Sequence, residues 1–378
     1  MRFKKKYLFT LISLLLLSLF FVGCTSSDSD STSTSNSIPT INLSYFRNDH
    51  QIPLFTAFAE SKNFEGVDSY LEAIIEKEKY KLITNGEEKA IIEVIVSQGG
   101  AESTTMFAQG NLDIASFSIT AAMTGVDSGV PIKVLAPVHT DGPGLVMHND
   151  IDVNGWDEFL EYVQSQDEPV KIGYHSPTSS PKIVFEGALA RADINYTIDP
   201  NNTEADILLV DLRSASNFTS SLMSGEVDGW VGPSPHPQVA AFEGNGNFVM
   251  SHRELPPEGF WEGFPCCVIV TSDKMLQEQR EIVSTMVELI TYGADYIIKN
   301  PEIGASVSSD WLGIPIEAAR NTNVVYTTEP SENFLRGANT YLEVLNDIGN
   351  FNDKLKGKDI EEAKDLLFDF SIIEEILN

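Results

Sequence analysis

The segment YHSPTSSPK, residues 174–182, joins a strand pattern to a helix pattern and could bind an anion. Thr178, Ser179 and Ser180 are good helix caps, and Pro181 suits the first helical turn. Free N–H groups at such a helix N-terminus, with hydroxyl groups beside them, form a binding site for a small oxyanion. The same residues also fit an ordinary capped helix, and both interpretations stay open from this segment alone.

A second turn of this kind, QGGAEST (residues 98–104), follows an earlier strand pattern. Two helix N-termini that face one cleft from opposite sides could hold a small oxyanion between them. Between His139 and Pro265, twenty acidic residues outnumber five basic ones. Local donors, rather than long-range attraction, must therefore hold any anion, and a neutral or flat aromatic ligand is the alternative.

Aromatic residues crowd the loops that follow the predicted strands. They are Tyr45, Phe46, Phe117, Tyr174, Trp230, Trp261 and Phe264. Some must belong to the core, since aromatic side chains near strand ends are usually buried. Trp230 and Trp261 are expected to line a pocket, because each lies in a stretch rich in Gly and Pro.

Cys266 and Cys267 are adjacent, and the only other cysteine is Cys24. Neighbouring side chains on a strand point to opposite faces, so the pair is expected to bind no metal ion, and a disulfide between neighbours would be strained. The expectation is one buried thiol and one thiol that lines the pocket. The alternative is an enzyme that uses Cys266, Cys267 and a histidine with iron.

Other signatures of catalysis are missing from the sequence. The six histidines show no HExxH or HxH spacing, and no GxSxG, P-loop or GxGxxG motif occurs. The net charge of −30 gives an acidic surface that repels nucleic acid, which excludes a nucleic-acid-binding protein. We therefore expect neither a cofactor nor an enzymatic activity.

The first 24 residues have the layout of a lipoprotein signal peptide. Arg2 and Lys4–Lys6 precede the apolar run YLFTLISLLLLSLFFV, which ends at Gly23-Cys24. Cleavage would remove residues 1–23 and leave Cys24 for lipid attachment, followed by a Ser/Asp-rich tether over 24–38. The interpretation is a domain lipid-anchored to the outer face of the cytoplasmic membrane, with an uncleaved signal anchor as the alternative.

Short β-like runs alternate with helical runs after the tether, which predicts an α/β protein built from βαβ units. Strand patterns of a first block lie at 41–46, 91–97, 112–118 and 131–138. Those of a second block lie at 144–148, 170–175, 206–211 and 227–232, and a further strand lies at 266–273. Residues 274–378 are predicted to be almost wholly helical and to return to the first block. The pattern indicates a hinged pair of lobes, with lobe 1 at 39–139 and 266–378 and lobe 2 at 140–265.

Four segments resemble solute-binding proteins of the ABC importers for nitrate, sulfonate and taurine, a superfamily that also includes binders of pyrimidine thiamine precursors. They are QGGAESTTMFAQGNLDIASFSITAAM, VPIKVLAPVHTDGPGLVM, KIGYHSPTSSPKIVFEGAL and GEVDGWVGPSPHPQVAAFEGNGN. The resemblance implies the bilobal periplasmic-binding-protein fold of type II, with two mixed or parallel sheets flanked by helices and a helical C-terminal tail. It also implies a monomer that delivers a small-molecule ligand to an ABC permease and ATPase.

In open α/β sheets ligands bind at the carboxyl ends of the strands, and this rule and the resemblance nominate the same loops. The expected ligand-binding residues are Tyr45, Phe46, Arg47, Gly100, Ser103, Ser116, Ser118, His139, Tyr174, Ser176, Thr178, Ser179, Trp230 and Trp261. The second-lobe turn departs from a nitrate site because it lacks a basic residue. The interpretation is a receptor for a small organic or oxyanionic solute of the sulfonate or taurine kind. The alternatives are a binder of a flat pyrimidine, a related metal-dependent pyrimidine-synthase-like enzyme, and a sensor or adhesion lipoprotein on the same fold.

Overall fold

The computed structural model of the chain describes residues 38–378, so the predicted signal peptide, Cys24 and nearly all of the tether lie outside the described residues. The strands are β1 (Thr40–Phe46), β2 (Ser69–Ile75), β3 (Lys79–Thr84), β4 (Glu87–Ser97), β5 (Ile114–Ser118), β6 (Ile132–Pro137), β7 (His139–Asp141), β8 (Gly144–Met147), β9 (Val170–Tyr174), β10 (Tyr196–Thr197), β11 (Ile207–Asp211), β12 (Gly229–Gly232), β13 (Asn247–Ser251), β14 (Cys267–Ser272) and β15 (Val324–Tyr326).

The helices are α1 (Ile52–Glu60), α2 (Gly100–Ala108), α3 (Ile119–Asp127), α4 (Gly155–Gln164), α5 (Ser180–Arg191), α6 (Phe218–Met223), α7 (His236–Glu243), α8 (Asp273–Glu278), α9 (Arg280–Lys299), α10 (Pro301–Leu312), α11 (Ile316–Arg320), α12 (Glu332–Asp347), α13 (Ile360–Leu367) and α14 (Ser371–Leu377). Strands alternate with helices up to β14, and the region after it is helical except for β15. Within the described residues, no helix has the length and apolar character that crossing a membrane requires.

Two mixed sheets form the body of the protein, as the sequence predicts. The large sheet has the strand order β2-β3-β4-β1-β5-β14-β6, and the small sheet has the order β10-β11-β9-β12-β8-β13. In the large sheet β1 is parallel to β4 and β5, whereas β14 is antiparallel to β5 and β6. In the small sheet β9 is parallel to β11 and β12, so the carboxyl ends of the central strands meet at one edge of each sheet.

The chain passes twice between the sheets. It leaves the large sheet after β6, forms β7 and enters the small sheet at β8; it returns from β13 to β14. Strand β15 also contacts the first crossing, because it pairs antiparallel with β7. Asp141, in β7, accepts a hydrogen bond from the Gly263 N–H at 3.0 Å, so the two crossings are also joined to each other.

Helix α12, in the C-terminal helical region, packs against both halves of the molecule. The sequence analysis had predicted that this region packs only against the large-sheet half. Helix α12 contacts α3 on one side and α5 on the other. The hydroxyl of Tyr341 donates a 2.8 Å hydrogen bond to the Pro265 carbonyl, and its ring meets Phe264 edge-on. One hydrophobic cluster therefore extends from Phe117 of the large sheet through α12 to Ile172 of the small sheet.

The hairpin β2–β3 is an element that the sequence analysis missed. It lies at the edge of the large sheet, and the next turn, Asn85-Gly86, leads into β4 with φ angles of 52° and 78°. Asn-Gly is a preferred pair for a two-residue hairpin turn that needs positive φ at both positions. This dipeptide was therefore the signal that could have revealed the strands on either side of it.

Candidate functional site

A narrow cavity lies where the carboxyl ends of the two sheets face each other. Its lining residues are Phe46, Asn48, His50, Gly99, Gly100, Phe117, Ser118, His175, Ser176, Ser179, Ser180, Pro181, Pro233, Cys266 and Cys267. Five of the predicted ligand-binding residues belong to this set: Phe46, Gly100, Ser118, Ser176 and Ser179. The space open to the centre of a water molecule is about 30 Å³, which is room for one or two waters, so a solute of several heavy atoms requires the two sheets to move apart.

Two helix N-termini meet at this cavity, from opposite sheets. Gly100 begins α2 and Ser180 begins α5, and neither helix has a side-chain cap. The Ser179 hydroxyl, expected as a cap, instead donates to the Ser176 carbonyl at 2.7 Å. Gly100 is required by space, since a Cβ there would lie 2.5 Å from the Cβ of Ala121. The first N–H groups of both helices therefore remain available to an electron-rich ligand.

Direct contacts join the two sheets across the cavity, so the structure describes a closed arrangement. The Thr120 hydroxyl donates to the Thr178 carbonyl at 2.6 Å, and the Ser118 hydroxyl donates to the same carbonyl at 3.4 Å. The rings of Phe46 and His175 stack with centroids 5.4 Å apart. These contacts connect the ends of β1 and β5 to the segment that follows β9.

A buried hydrogen-bond network makes a further connection between the sheets. The Ser234 hydroxyl, after β12, lies 2.7 Å from Asp49 Oδ2, after β1, and 3.2 Å from the Thr322 hydroxyl. Burial raises the pKa of Asp49, while His50 and the Ser234 hydroxyl lower it in part. These buried hydrogen bonds hold the segment after β1 close to the segment after β12.

The cavity offers no strong positive charge to an anion. Neither Lys nor Arg is among its lining residues in the part of the chain that the structure describes. Burial lowers the pKa of His175 to about 3, with His236 adding to the shift, so its imidazole is neutral near pH 7. An anionic solute would have to be held by N–H groups and hydroxyls, as the sequence analysis expected.

Tyr45 and Arg47 flank Phe46 but do not line this cavity. The Tyr45 hydroxyl accepts a 2.9 Å hydrogen bond from Trp311 Nε1 in the core. The Arg47 guanidinium donates to the carbonyls of Trp311 and Leu312 and lies along a separate opening beside α7. Alternation along β1 explains the difference, because successive side chains point to opposite faces.

Ser103 and Ser116 are interior residues. The Ser103 hydroxyl lies 3.0 Å from that of Ser44 and 3.1 Å from that of Ser97, which ties α2 to the strands beneath it. Ser116 is buried in β5, and its hydroxyl has no hydrogen-bond partner among the described residues. Neither residue is among those that line the cavity.

Tyr174 and Thr178 hold the small-sheet wall in place rather than line it. The Lys182 ammonium lies 5.3 Å from the ring centroid of Tyr174, and burial raises the pKa of Tyr174 to about 12. Thr178 contributes its backbone carbonyl, which accepts the bonds from Ser118 and Thr120.

Trp230 and Trp261 are core residues, which corrects the expectation that they line a pocket. Trp230 stacks on Phe218 with centroids 4.3 Å apart, and Trp261 packs edge-on against Phe264. The indole Nε1 of Trp261 donates to the Pro256 carbonyl at 2.9 Å. A stretch rich in Gly and Pro is thus not a reliable sign of exposure, because the tight turns it forms can fold a large side chain inward.

Cys266 and Cys267 point to one place, contrary to the expectation that they diverge. Both thiols are buried, and their sulfur atoms lie 3.6 and 3.7 Å from the same atom, His50 Nδ1. Strand β14 begins only at Cys267, so Cys266 does not follow the strand's alternation. Together with His139, these residues form a buried group whose ligand atoms all lie within 4.8 Å of one another.

The two thiols differ in their acidity. Burial raises the pKa of both, but the contact with Cys267 and the neighbouring His50 and His139 lower that of Cys266 well below the ordinary thiol value. Burial and the contact with Cys266 raise the pKa of Cys267. The pair therefore favours a single negative charge, and Cys266 is the thiol that loses its proton first.

The cavity wall also includes Asn48, His50, His175 and Pro233, which lie within the nominated strand-end loops 45–50, 174–180 and 230–234 but were not singled out as ligand-binding residues. His50 lies four residues after the end of β1 and His175 directly after the end of β9, where the rule that ligands bind at strand ends places them. His139, which was predicted to bind the ligand, lies behind the wall and accepts a 3.2 Å bond from the Cys267 N–H at Nε2.

Residues 39–309 match the model of a protein family described as the NMT1-like family. Among curated proteins, the uncharacterized protein MJ1180 of Methanocaldococcus jannaschii is 30% identical over 141 residues, which are 36% of this chain and 92% of that protein.

Solved structures share the fold at low sequence identity. The periplasmic nitrate-binding protein NrtA from Synechocystis PCC 6803 has a TM-score of 0.66 at 13% identity, with 90% of this chain and 88% of that chain covered. The ligand-binding component of an ABC-type import system from Staphylococcus aureus, with zinc bound, has a TM-score of 0.64 at 14% identity, covering 89% and 99%. The alkanesulfonate-binding protein SsuA from Xanthomonas axonopodis pv. citri, bound to MOPS, has a TM-score of 0.60 at 10% identity, covering 84% and 95%. These similarities confirm the predicted fold class.

Proposed function

Because the chain belongs to the NMT1-like family, we propose that it is the solute-binding component of an ABC importer and captures a small solute between two lobes. The observation that carries the proposal is the cavity lined from both sheets, with a helix N-terminus contributed by each. The permease and ATPase of the importer are its proposed partners, and the protein binds its solute without transforming it.

The proposed lobes are residues 39–139 with 266–378, and residues 140–265. The large sheet belongs to the first and the small sheet to the second, and the two crossings between the sheets would form the hinge. A solute that binds the closed arrangement better than the open one shifts the equilibrium towards closure. A few kcal/mol of differential affinity would be enough for this shift.

The proposed solute is small and either organic or oxyanionic, of the sulfonate or taurine kind. The uncapped N–H groups of α2 and α5, with the hydroxyls of Ser118, Ser176 and Ser179, support this choice. A flat pyrimidine is a poorer fit, because the Phe46 and His175 rings already stack on each other, with centroids 5.4 Å apart, and leave no room for a third ring between them.

The proposed location is the outer face of the cytoplasmic membrane. The support is the sequence pattern of residues 1–24, in which Cys24 follows the apolar run and precedes a polar tether. Mass spectrometry of the protein recovered from membranes would test it. Lipid on Cys24 is the expected result, and a chain that retains residues 1–23 with an unmodified Cys24 is the contrary one.

Solute binding can be tested with the full chain, using native mass spectrometry for co-purified solute and titration calorimetry with taurine. We expect Ser179→Trp to abolish binding, because Ser179 is buried at the cavity wall and an indole there would fill the cavity; the same overpacking should lower the thermal midpoint, so circular dichroism is used to check that the variant folds. Ser165→Trp is the matched control, because Ser165 is an exposed residue that follows α4. Equal binding by the two variants would contradict the proposed site.

A further inference from the structure

The residues His50, His139, Cys266 and Cys267, called here the thiol–imidazole cluster, have no role in the proposed capture of a solute by N–H groups and hydroxyls. All four side chains are buried, and the atoms able to bind a metal lie within 4.8 Å of one another. Two sulfur and two nitrogen donors form a soft set of ligands, which suits Zn²⁺ or Cu⁺ and does not suit Mg²⁺ or Ca²⁺.

The spacing of the donors matches a tetrahedral site. With Zn–S bonds of about 2.3 Å and Zn–N bonds of about 2.0–2.1 Å, tetrahedral geometry places S and N about 3.5–3.6 Å apart. The two observed distances from His50 Nδ1 to the sulfur atoms are 3.6 and 3.7 Å. All donor atoms of the cluster lie within 4.8 Å of one another, whereas the edges of a tetrahedral site are about 3.3–3.8 Å long, so binding requires the cluster to contract by up to about 1 Å.

Hydrogen bonding alone does not satisfy the cluster. His50 Nδ1 carries either one lone pair or one N–H, according to the tautomer, and so forms a good hydrogen bond with one sulfur atom only, although two sulfur atoms are equally near to it. A single cation bound by all three atoms would satisfy them together. The ordinary role of buried cysteines as small apolar residues does not explain why both approach one imidazole nitrogen.

The backbone holds the two cysteines in place. The Cys266 carbonyl accepts a 2.8 Å bond from the Ile119 N–H, and the Cys267 carbonyl accepts a 2.9 Å bond from the Val138 N–H. His139 Nδ1 lies 3.2 Å from the Thr140 carbonyl, a contact that directs Nε2 towards the cluster. At present Nε2 accepts the 3.2 Å bond from the Cys267 N–H, which a metal ion would replace.

We propose that His50, His139, Cys266 and Cys267 bind one soft transition-metal ion at the inner end of the cavity. His50, Cys266 and Cys267 line the cavity, whereas His139 lies behind it, so the ion would face the space between the sheets. The metal site shares its cavity with the proposed solute, but it does not need both sheets to form. Its four ligands come from β7, from β14 with the residue before it, and from the segment after β1, and none comes from the small sheet.

The experiment uses the full chain, reduced and stripped with a chelator, and Zn²⁺ or Co²⁺ as the probe. We expect one equivalent of Zn²⁺ to remain after desalting, and Co²⁺ to give a thiolate charge-transfer band with the strong d–d absorption of a tetrahedral ion. Cys266→Ser, Cys267→Ser and His50→Gln should each weaken binding by more than the roughly 10–100-fold that loss of an outer-shell partner costs.

Two matched controls separate this site from adventitious binding. Cys24→Ser removes the only other thiol, and His148→Ala removes a histidine that pairs with Asp150 on the surface. Both should retain the full cobalt spectrum. Loss of the spectrum in either control, or its retention in Cys266→Ser and Cys267→Ser, would overturn the proposal.

A measurement on the unsubstituted chain tests the metal site without a variant that could misfold. Bound Zn²⁺ should slow alkylation of Cys266 and Cys267, as read by peptide mass spectrometry. Unchanged alkylation of the pair at saturating Zn²⁺ would refute the site. A chain that binds Zn²⁺ but no solute would support the metal site and contradict the proposed transport function.

Discussion

The ring of Phe46, at the end of β1, lies parallel to the imidazole of His175, after β9, with the two planes 3° apart and the centroids separated by 5.4 Å. The first residue belongs to the large sheet and the second follows a strand of the small sheet. His175 also meets Phe218 edge-on, at a centroid distance of 6.0 Å, so the stack continues into the small-sheet core. This contact gives the closed arrangement an apolar element beside its hydrogen bonds.

Phe46→Ala should therefore favour the open arrangement. Aromatic pairs contribute about 0.5–1.5 kcal/mol beyond their buried area, and the substitution removes this contribution only when the sheets are in contact. We expect a larger radius of gyration by small-angle scattering and faster hydrogen exchange around residues 174–180.

Phe242→Ala is the control for this change, because Phe242 is a phenylalanine of α7 that is 53% exposed. It should leave both the radius of gyration and the exchange rates as they are. A Phe46→Ala protein with the dimensions of the unsubstituted chain would show that the stack does not contribute to closure.

The strands that carry the cavity were predictable from the sequence because they are buried apolar runs with clear ends. The patterns at 41–46, 170–175 and 227–232 correspond to β1, β9 and β12 within two residues at each end. The short strands β7 and β15 were not predictable, since three residues give no periodicity and their pairing joins segments almost 190 residues apart.

The site was predicted only in part, for a related reason. Strand ends identify loops, but they do not say which side chain of a loop turns inward, so Tyr45 and Phe46 could not be told apart. The convergence of His50 with Cys266 and Cys267 joins positions more than 200 residues apart. No local pattern contains that information, and the alternation rule gave the wrong answer because Cys266 precedes its strand.

Gly142→Ala should disturb the crossing between the sheets and the thiol–imidazole cluster together. Gly142 has a φ of +99°, and a Cβ there would lie 2.8 Å from His50 Nε2 and 2.9 Å from Val324 Cγ2. The His50 ring would have to shift, which changes the distances from its Nδ1 to the two sulfur atoms. We expect a lower thermal midpoint and a loss of Zn²⁺ binding by the full chain.

Gly129→Ala provides the comparison that isolates this contact. Gly129 has a similar φ of +87°, but the nearest atom to a Cβ added at this position would be Lys354 Cε at 4.0 Å. The substitution therefore introduces the backbone strain of about 1–3 kcal/mol without the collision. Equal effects of the two substitutions on stability and on Zn²⁺ binding would contradict the prediction.

The ion pair Lys182–Glu186 of α5 should tolerate joint replacement better than single replacement. The two groups lie 2.7 Å apart, and their side chains are 9% and 4% exposed. Removal of one partner leaves an uncompensated buried charge, so Lys182→Met should lower the free energy of unfolding by about 3–5 kcal/mol. The double variant Lys182→Met/Glu186→Leu should regain most of that loss, as measured by urea unfolding. A double variant as unstable as the single one would refute this explanation.

The carboxyl group of Glu186 should make the free energy of unfolding depend on pH. Burial raises the pKa of Glu186, and Lys182 offsets only part of the rise. A carboxyl whose pKa is higher in the folded than in the unfolded chain stabilises the fold below its unfolded pKa, and this contribution is lost as pH rises through the folded value. Between about pH 4 and pH 7, the free energy of unfolding should therefore fall more steeply for the unsubstituted chain than for Glu186→Gln. Parallel curves from chemical denaturation across that range would show that Glu186 titrates alike in both states, and that Lys182 fully compensates its burial.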